Sequence, residues 1–543
     1  EESTLRLPLE ITAREIGDHD ITVELTTPDG TVLRRVIGMP VRINDPEVAT
    51  IRQFTLGAGE EFTFDTAVLA GLQAGTARAT LSVDAFSRLN IPGLLQQLDR
   101  YPYGCTEQVT SGSLPLLYVG NLARDAGLGT PSEIDAKIAM SIDRVLSRQA
   151  SNGAFGMWRA ETGAFWLDAY VTDFLWRAKQ EGHAVPPRAL ALALDNLRNR
   201  INFAPDFDNG GEDIAYALLV LTRAGAAQMG DLRYYADTKA DALATPMAAA
   251  QLGAALAAYG DPARADRLFA RAAALLLTSP DRTLWRDDFG SGYRDRAAVL
   301  ALAAEAGSEA IDLKSLMQAL QAQGRDLSTQ EAAQVVLAAH AVSHTAKGAD
   351  IEVDGELING QVVREMSDRD PVITVIRNAA TSPTKVTITA FGVPDVAPEA
   401  GGYGYALTRR YFTMEGTVVV GPVASGTRLV TVLEVQSFED IGARLMVDDP
   451  LPAGFEIDNP NLLQSGSVKA LDWLKVASPQ NVEFRSDRFL AAVDHEGVGK
   501  FQLAYVVRAV SPGVYHHPAA LVTDMYRPEY RANTGTARLI VTP

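Results

Sequence analysis

The sequence is poor in cysteine, in basic charge and in long apolar runs, and each shortage removes a class of answer. Among 543 residues there is one cysteine, Cys105. No intrachain disulfide can form, so the fold is held by its packed cores alone. A lone thiol suits a reducing compartment or a chain depleted of stray thiols, and is most often a small buried hydrophobe. Lys and Arg number 49 against 67 Asp and Glu, a net charge of −18, with no basic run to reverse it locally. Such a surface repels phosphate backbones and argues against nucleic acid as a partner. No stretch reaches the roughly 18–20 unbroken apolar residues needed to cross a bilayer. The Ala/Leu-rich runs 252–259 and 272–277 read instead as buried helices. Glu1 opens on polar, strand-like sequence without a signal-peptide pattern, which reads as a processed or excised chain.

What is present is ordinary globular composition, 47% hydrophobic and 21% charged, in a chain too long for one core. Three or four domains follow. The apolar period changes twice. Alternating or β-branched runs at 21–26, 31–37 and 78–85 predict strands, with a turn-rich break from Pro40 to Pro46. From about 90 to 345 the spacing is helical, in segments 135–149, 164–181, 187–200, 213–225, 245–259, 262–277, 294–306, 309–322 and 328–343. Short Gly, Pro, Asn or Asp breaks make these antiparallel hairpins, which stack as an open solenoid or close as an α/α toroid. Strands return at 372–377, 385–393, 407–413, 428–435 and 501–510, with a break expected near 410–415. A helical domain inserted into a β-domain is the natural layout, because domain termini tend to lie close together.

At the start of the helical region stands Tyr101-Pro102-Tyr103-Gly104-Cys105-Thr106-Glu107-Gln108. A Cys and a Gln three apart share one side of a helical turn. The thiolate can then attack the Gln carboxamide carbon and expel ammonia, leaving a thioester that holds an acyl group ready for an outside nucleophile. Gly104 would let the chain bend tightly before the ring, and Tyr101 and Tyr103 would cover a bond that hydrolyses when exposed. This octet resembles the thioester motif of alpha-2-macroglobulins, the bacterial ones especially. The common form has Gly where Thr106 stands; a β-branched residue narrows the backbone choices there and would slow ring formation. The similarity continues in Asn152–Trp158 and Trp166–Tyr170, in Leu451–Glu456 and in Met525-Tyr526-Arg527-Pro528.

The resemblance implies a multidomain α+β fold, with an α/α toroid thioester domain inserted in a CUB-like β-domain and flanked by macroglobulin-like β-sandwich domains. Its implied divisions are 1–48 (the end of one macroglobulin-like domain), 49–88 and 346–411 (the two CUB-like halves), 89–345 (the toroid) and 412–543 (a C-terminal macroglobulin-like sandwich). It implies Cys105 and Gln108 as the cross-linked pair. Tyr101, Tyr103, Gly104 and Glu107 support it, and Met525 and Tyr526 pack over it from the neighbouring domain. The implied function is the thioester-bearing part of a broad-spectrum endopeptidase inhibitor, not an enzyme, with target proteases as partners and no cofactor. A periplasmic monomer is expected, with a tether to the inner membrane through sequence N-terminal to this chain. In the complement branch of the family a His redirects the acyl group toward hydroxyls. Residues 185–335 contain no His, so lysine amines are the expected acceptors. A thioester adhesin, or a toroid enzyme of the glycosidase or terpene cyclase type, are the alternatives.

Other candidates are weaker. His340 and His344 have a spacing that binds zinc but no third ligand, and read as a solvated helix end. His516-His517 before Pro518 reads as a surface turn. Asp287-Asp288 and Glu212-Asp213 offer carboxylate pairs of the glycosidase type but read as helix caps and solvated charge.

Overall fold

The computed structural model describes residues 9–83, 89–101, 103–203, 206–279, 285–321, 326–343, 349–461, 468 and 471–543. Five strands lead: β1 Gly17–Thr26, β2 Val32–Val41, β3 Val48–Leu56, β4 Glu61–Phe64 and β5 Arg78–Val83. The first two form a hairpin of their own. The others meet five strands from beyond the helical region: β6 Ala349–Val353, β7 Glu356–Gly360, β8 Val362–Ser367, β9 Thr374–Asn378 and β10 Thr384–Gly392. They make two four-stranded sheets, ordered β3-β10-β5-β8 and β4-β9-β6-β7. Inward-facing Phe64, Leu81, Val83, Ile351, Ile376 and Val386 fill the space between them. The helical region leaves this sandwich after β5 and returns at β6, so the helices are an insertion.

Thirteen helices are described within the insertion: α1 Ile91–Arg100, α2 Thr106–Ser113, α3 Gly120–Asp125, α4 Pro131–Leu146, α5 Phe165–Gln180, α6 Pro187–Phe203, α7 Glu212–Arg223, α8 Met229–Tyr234, α9 Pro246–Ala258, α10 Pro262–Thr278, α11 Gly292–Ala306, α12 Leu313–Gln321 and α13 Thr329–Ala341. Their packing decides between solenoid and toroid. α2 packs on α5, α5 on α7, α7 on α9, α9 on α11, α11 on α13, and α13 returns to α2. The ring closes. The inner helices are buried on nearly every side, as in the unbroken run Ile214–Leu221 of α7. Outer α4 and α10 bury one stripe each, Ile134, Ile138, Ile142 and Val145 in the first. α8 and the π turn Tyr235–Lys239 fall where no helix was predicted, because their apolar residues are too few to set a period.

The remaining strands are β11 Gly401–Tyr403, β12 Tyr405–Phe412, β13 Val418–Val419, β14 Val423–Ala424, β15 Arg428–Ser437, β16 Ala443–Pro450, β17 Phe455–Ile457, β18 Asn481–Phe484, β19 Arg488–His495, β20 Gly499–Ala509, β21 Gly513–His517, β22 Leu521–Asp524, β23 Arg527–Asn533 and β24 Ala537–Thr542. Sheets ordered β11-β23-β22-β16-β19-β18 and β13-β12-β15-β20-β17 enclose a second β-core. One expectation is corrected here. β12 pairs along its whole length with β15, and β11 with β23. The break therefore lies between Gly392 and Gly401, not near 412; glycines 401, 402 and 404 mimic a linker but lie at an edge strand and its turn.

Six inner helices alternating with outer ones point the same way, so their N-termini gather at one end of the ring. The C-terminal sandwich covers that end. Met446, Ala492, Met525 and Tyr526 from the sandwich are part of the toroid's own apolar core. The Arg444 guanidinium lies over the rings of Trp285 and Phe289, 3.8 and 4.4 Å from their centroids.

Candidate functional site

α2 begins where it does because of two side chains. Cys105 has extended backbone angles and serves as the N-cap, its Sγ accepting the Gln108 amide N–H at 3.4 Å. In return Gln108 Oε1 accepts the Cys105 amide N–H at 3.2 Å. This is the reciprocal capping arrangement in which Ser or Thr usually stands. It places the only thiol of the chain and a carboxamide against one another, both buried. A third tie comes from outside the helix, as the Thr106 amide donates to the Met157 carbonyl at 2.9 Å.

Glu107 is fully buried one position before Gln108. Its carboxylate accepts from Ser111 Oγ (2.5 Å), Gln330 Nε2 (2.8 Å), Thr329 Oγ1 (3.2 Å) and Tyr526 OH (2.8 Å). Burial pushes its pKa up, and the four donors pull it back. The carboxylate thus joins three bodies: α2, the start of α13 and the C-terminal sandwich. The Cys105 thiol is pushed well above its ordinary range, first by burial and then by the charge of Glu107. A site this dry disfavours the thiolate.

The cover comes from the turn between β22 and β23. Met525 Sδ lies 3.3 Å from Gln108 Nε2, and the Tyr526 ring packs against Phe289 with centroids 5.1 Å apart. Tyr101 and Tyr103, both half-buried, meet edge to face at 5.3 Å. Tyr103 OH reaches Asp448 of β16 at 3.4 Å. All eight residues singled out from the sequence therefore lie around one turn of backbone. Gly104 acts differently from expectation. Its φ is not positive; a Cβ there would run into the Arg144 guanidinium, so close approach rather than a tight bend is what glycine permits.

Two family models match the chain. The bacterial alpha-2-macroglobulin MG10 domain matches residues 404–529, and the A-macroglobulin TED domain matches residues 80–200. An alpha-2-macroglobulin of Escherichia coli is 32% identical over 524 residues, 90% of this chain and 31% of that protein. One from Xylella fastidiosa is 28% identical over 99% of this chain and 35% of its own length. Native Escherichia coli alpha-2-macroglobulin, solved from domain MG7 to the C-terminus, superimposes with a TM-score of 0.83 at 29% identity, covering 97% of this chain and 88% of that one. Salmonella alpha-2-macroglobulin reacted with methylamine gives 0.83 at 29% identity, over 97% of this chain and 36% of that one. This chain belongs to the bacterial alpha-2-macroglobulin family. It spans about a third of the length of the two curated alpha-2-macroglobulins, 31% and 35%.

Three of the weaker candidates, none of them an alpha-2-macroglobulin feature, change. His517 is no surface turn: it ends β21 with 5% exposure, bonded to Tyr411 OH at 3.0 Å. Burial and nearby Arg409 push its pKa down to about 2, so the ring stays neutral. His516 is the exposed partner, on Asp45. Asp288 is not solvated either. It is 4% exposed and shared between Arg286 and Arg294, which leaves it unfit as an acid or base. Glu212 and Asp213 are half-buried beside Asp287 in a cleft of about 790 Å³, and burial raises the pKa of both. His340 stacks on Tyr118 with centroids 5.2 Å apart, while His344 and Pro102 lie outside the described residues. No group of three or more metal-ligating side chains occurs among the described residues, and no described helix is long and apolar enough to cross a membrane.

Sequence reasoning missed Thr329, Gln330 and Arg148. Only the last carried a signal, an arginine four residues after Arg144 at the end of α4.

Proposed function

We propose that Cys105 and Gln108 form an internal thioester, and that this chain is the acyl-donating C-terminal part of a periplasmic trap for endopeptidases. The observation that carries this reading is the reciprocal contact of Cys105 and Gln108 at the start of α2, buried beneath Met525 and Tyr526. The chemistry is acyl transfer. A lysine amine attacks the Gln108 acyl carbon, the carbon–sulfur bond breaks, and the target is left on an amide. The family alignment supports the protease as target, and a single thiol supports an oxidising compartment, where a second cysteine would mispair with Cys105.

The covered site explains why such a bond would keep. Expelling a thiolate into a dry pocket is unfavourable, so neither water nor amine reacts quickly while Tyr526 holds its place on Glu107. Movement of the sandwich away from the ring would admit the amine and solvate the leaving group together. The reading therefore assigns reactivity to the docking of two domains, not to an enzyme's turnover.

The test is acceptor choice. The purified protein is incubated with an N-acetyl-lysine peptide and, separately, with glycerol, and adducts at Gln108 are mapped by peptide mass spectrometry. An amide to the lysine nitrogen in excess over any ester is expected. Ester in excess would overturn the amine-directed trap and favour a surface-attaching adhesin; no adduct of either kind, and none with the smaller methylamine, would favour a toroid enzyme.

A further inference from the structure

Arg148 stands two residues beyond the end of α4 and is 9% exposed. Its Nη2 donates to the Gly104 carbonyl at 2.7 Å, and its Nη1 to Thr106 Oγ1 at 3.2 Å and the Met157 carbonyl at 3.4 Å. Every one of these acceptors is neutral. No carboxylate among the described residues lies within ion-pair distance of this guanidinium, although the chain carries 67 of them. A buried cation without an anion is costly, and proteins pair such groups. Two of these three acceptors belong to the residues on either side of Cys105. The cation is thus clamped to the peptide that carries the thiol, in a chain where Thr106 replaces the usual glycine and supplies one arm of the clamp.

Resting on the thioester reading above, we infer that Arg148 is the counter-ion of the Cys105 thiolate, a positioning residue that stabilises the leaving group when the thioester opens. The step balances without a further reactant. The amine nitrogen bonds to the Gln108 acyl carbon, the carbon–sulfur electron pair leaves on Cys105 Sγ, and the proton lost from nitrogen passes through solvent to the thiolate or remains there. The anion that Arg148 lacks in the covered state is created by this step. Burial and Glu107 raise the thiol's pKa, and Arg148 is the cation that opposes them. The other groups bearing on the pair are Arg144 on α4, Glu483 on β18, and the hydroxyls of Tyr101 and Tyr526.

The test titrates the thiol freed by methylamine, following thiolate absorbance in the ultraviolet with Cys105→Ser as the blank. Arg148→Gln is expected to raise the midpoint by about one pH unit and to slow methylamine-driven thiol release about tenfold. An unchanged midpoint overturns the assignment and leaves Arg148 a loop staple. Arg148→Lys keeps a cation and is expected to hold the midpoint within about 0.3 unit of the parent even if the Gln variant does not fold. A full-unit rise in the Lys variant overturns the assignment. The thioester reading fails separately, when the untreated parent shows no loss of ammonia by mass; the thiol is then free from the start and its midpoints still decide the role of Arg148.

Discussion

At the scale of the residue, the site is governed by one carboxylate and one cover. Glu107 holds Tyr526 OH at 2.8 Å in a pocket without water access, and a hydrogen bond to a charged group there is worth about 1.5–3 kcal/mol. Tyr526→Phe keeps the ring against Phe289 and removes only that bond. Methylamine should then open the site about tenfold faster, since ~1.4 kcal/mol is one factor of ten. Thiol release followed with a chromogenic disulfide measures this, and an unchanged rate would mean that the ring alone does the covering. The octet was legible because its chemistry is local: Cys105 and Gln108 are three residues apart and meet on one turn. Arg148 and Gln330 were not. They lie 43 and 225 residues from Cys105, and it is the packing of α4 and of α13 on α2 that brings them to the site. His517 misled because Pro518 beside it reads as a turn, while its burial comes from Tyr411 on another sheet.

At the scale of the element, inner helices carry charge in places that periodicity cannot rationalise. Asp173 of α5 is 2% exposed and is shared by Arg177 (3.0 Å), Arg223 of α7 (2.9 Å) and Tyr216 OH (3.0 Å). Burial alone would raise its pKa, but the two guanidinium groups hold it below the usual carboxylate value. A carboxylate with a lowered folded pKa stabilises the fold above its unfolded pKa, near 3.9, and that contribution is lost as pH falls through the folded value. Asp173→Asn leaves Arg177 without its anion and Arg223 with Glu305 alone, and should cost about 3–5 kcal/mol at pH 7. Urea denaturation of the helical transition at pH 7 and pH 3 checks this: the gap between variant and parent should shrink at the lower pH. A gap of equal size at both would mean that charge is not what Asp173 contributes. The long helices, inner and outer, were legible from period alone, as were eight of the strands, β1, β2, β5, β9, β10, β12, β15 and β20. Closure was not, because contact between α2 and α13 is a property of curvature summed over the whole ring.

At the scale of the molecule, a sandwich interrupted after β5 carries a ring of helices, and a second sandwich caps the end where the inner helices start. That geometry puts the reactive turn at a domain interface, where rigid-body movement, rather than local unfolding, would expose it. The β–α–β order was legible in the changes of period; the boundary between Gly392 and Gly401 was not, because glycines 401, 402 and 404 serve an edge strand while looking like a linker. The central claim is the bond between Cys105 and Gln108, and intact mass tests it most directly. The account predicts a protein about 17 Da lighter than its 58.2 kDa sequence mass, gaining about 31 Da at Gln108 on treatment with methylamine and exposing one new thiol. A protein at its full sequence mass, unchanged by methylamine and with Cys105 already free, would contradict it.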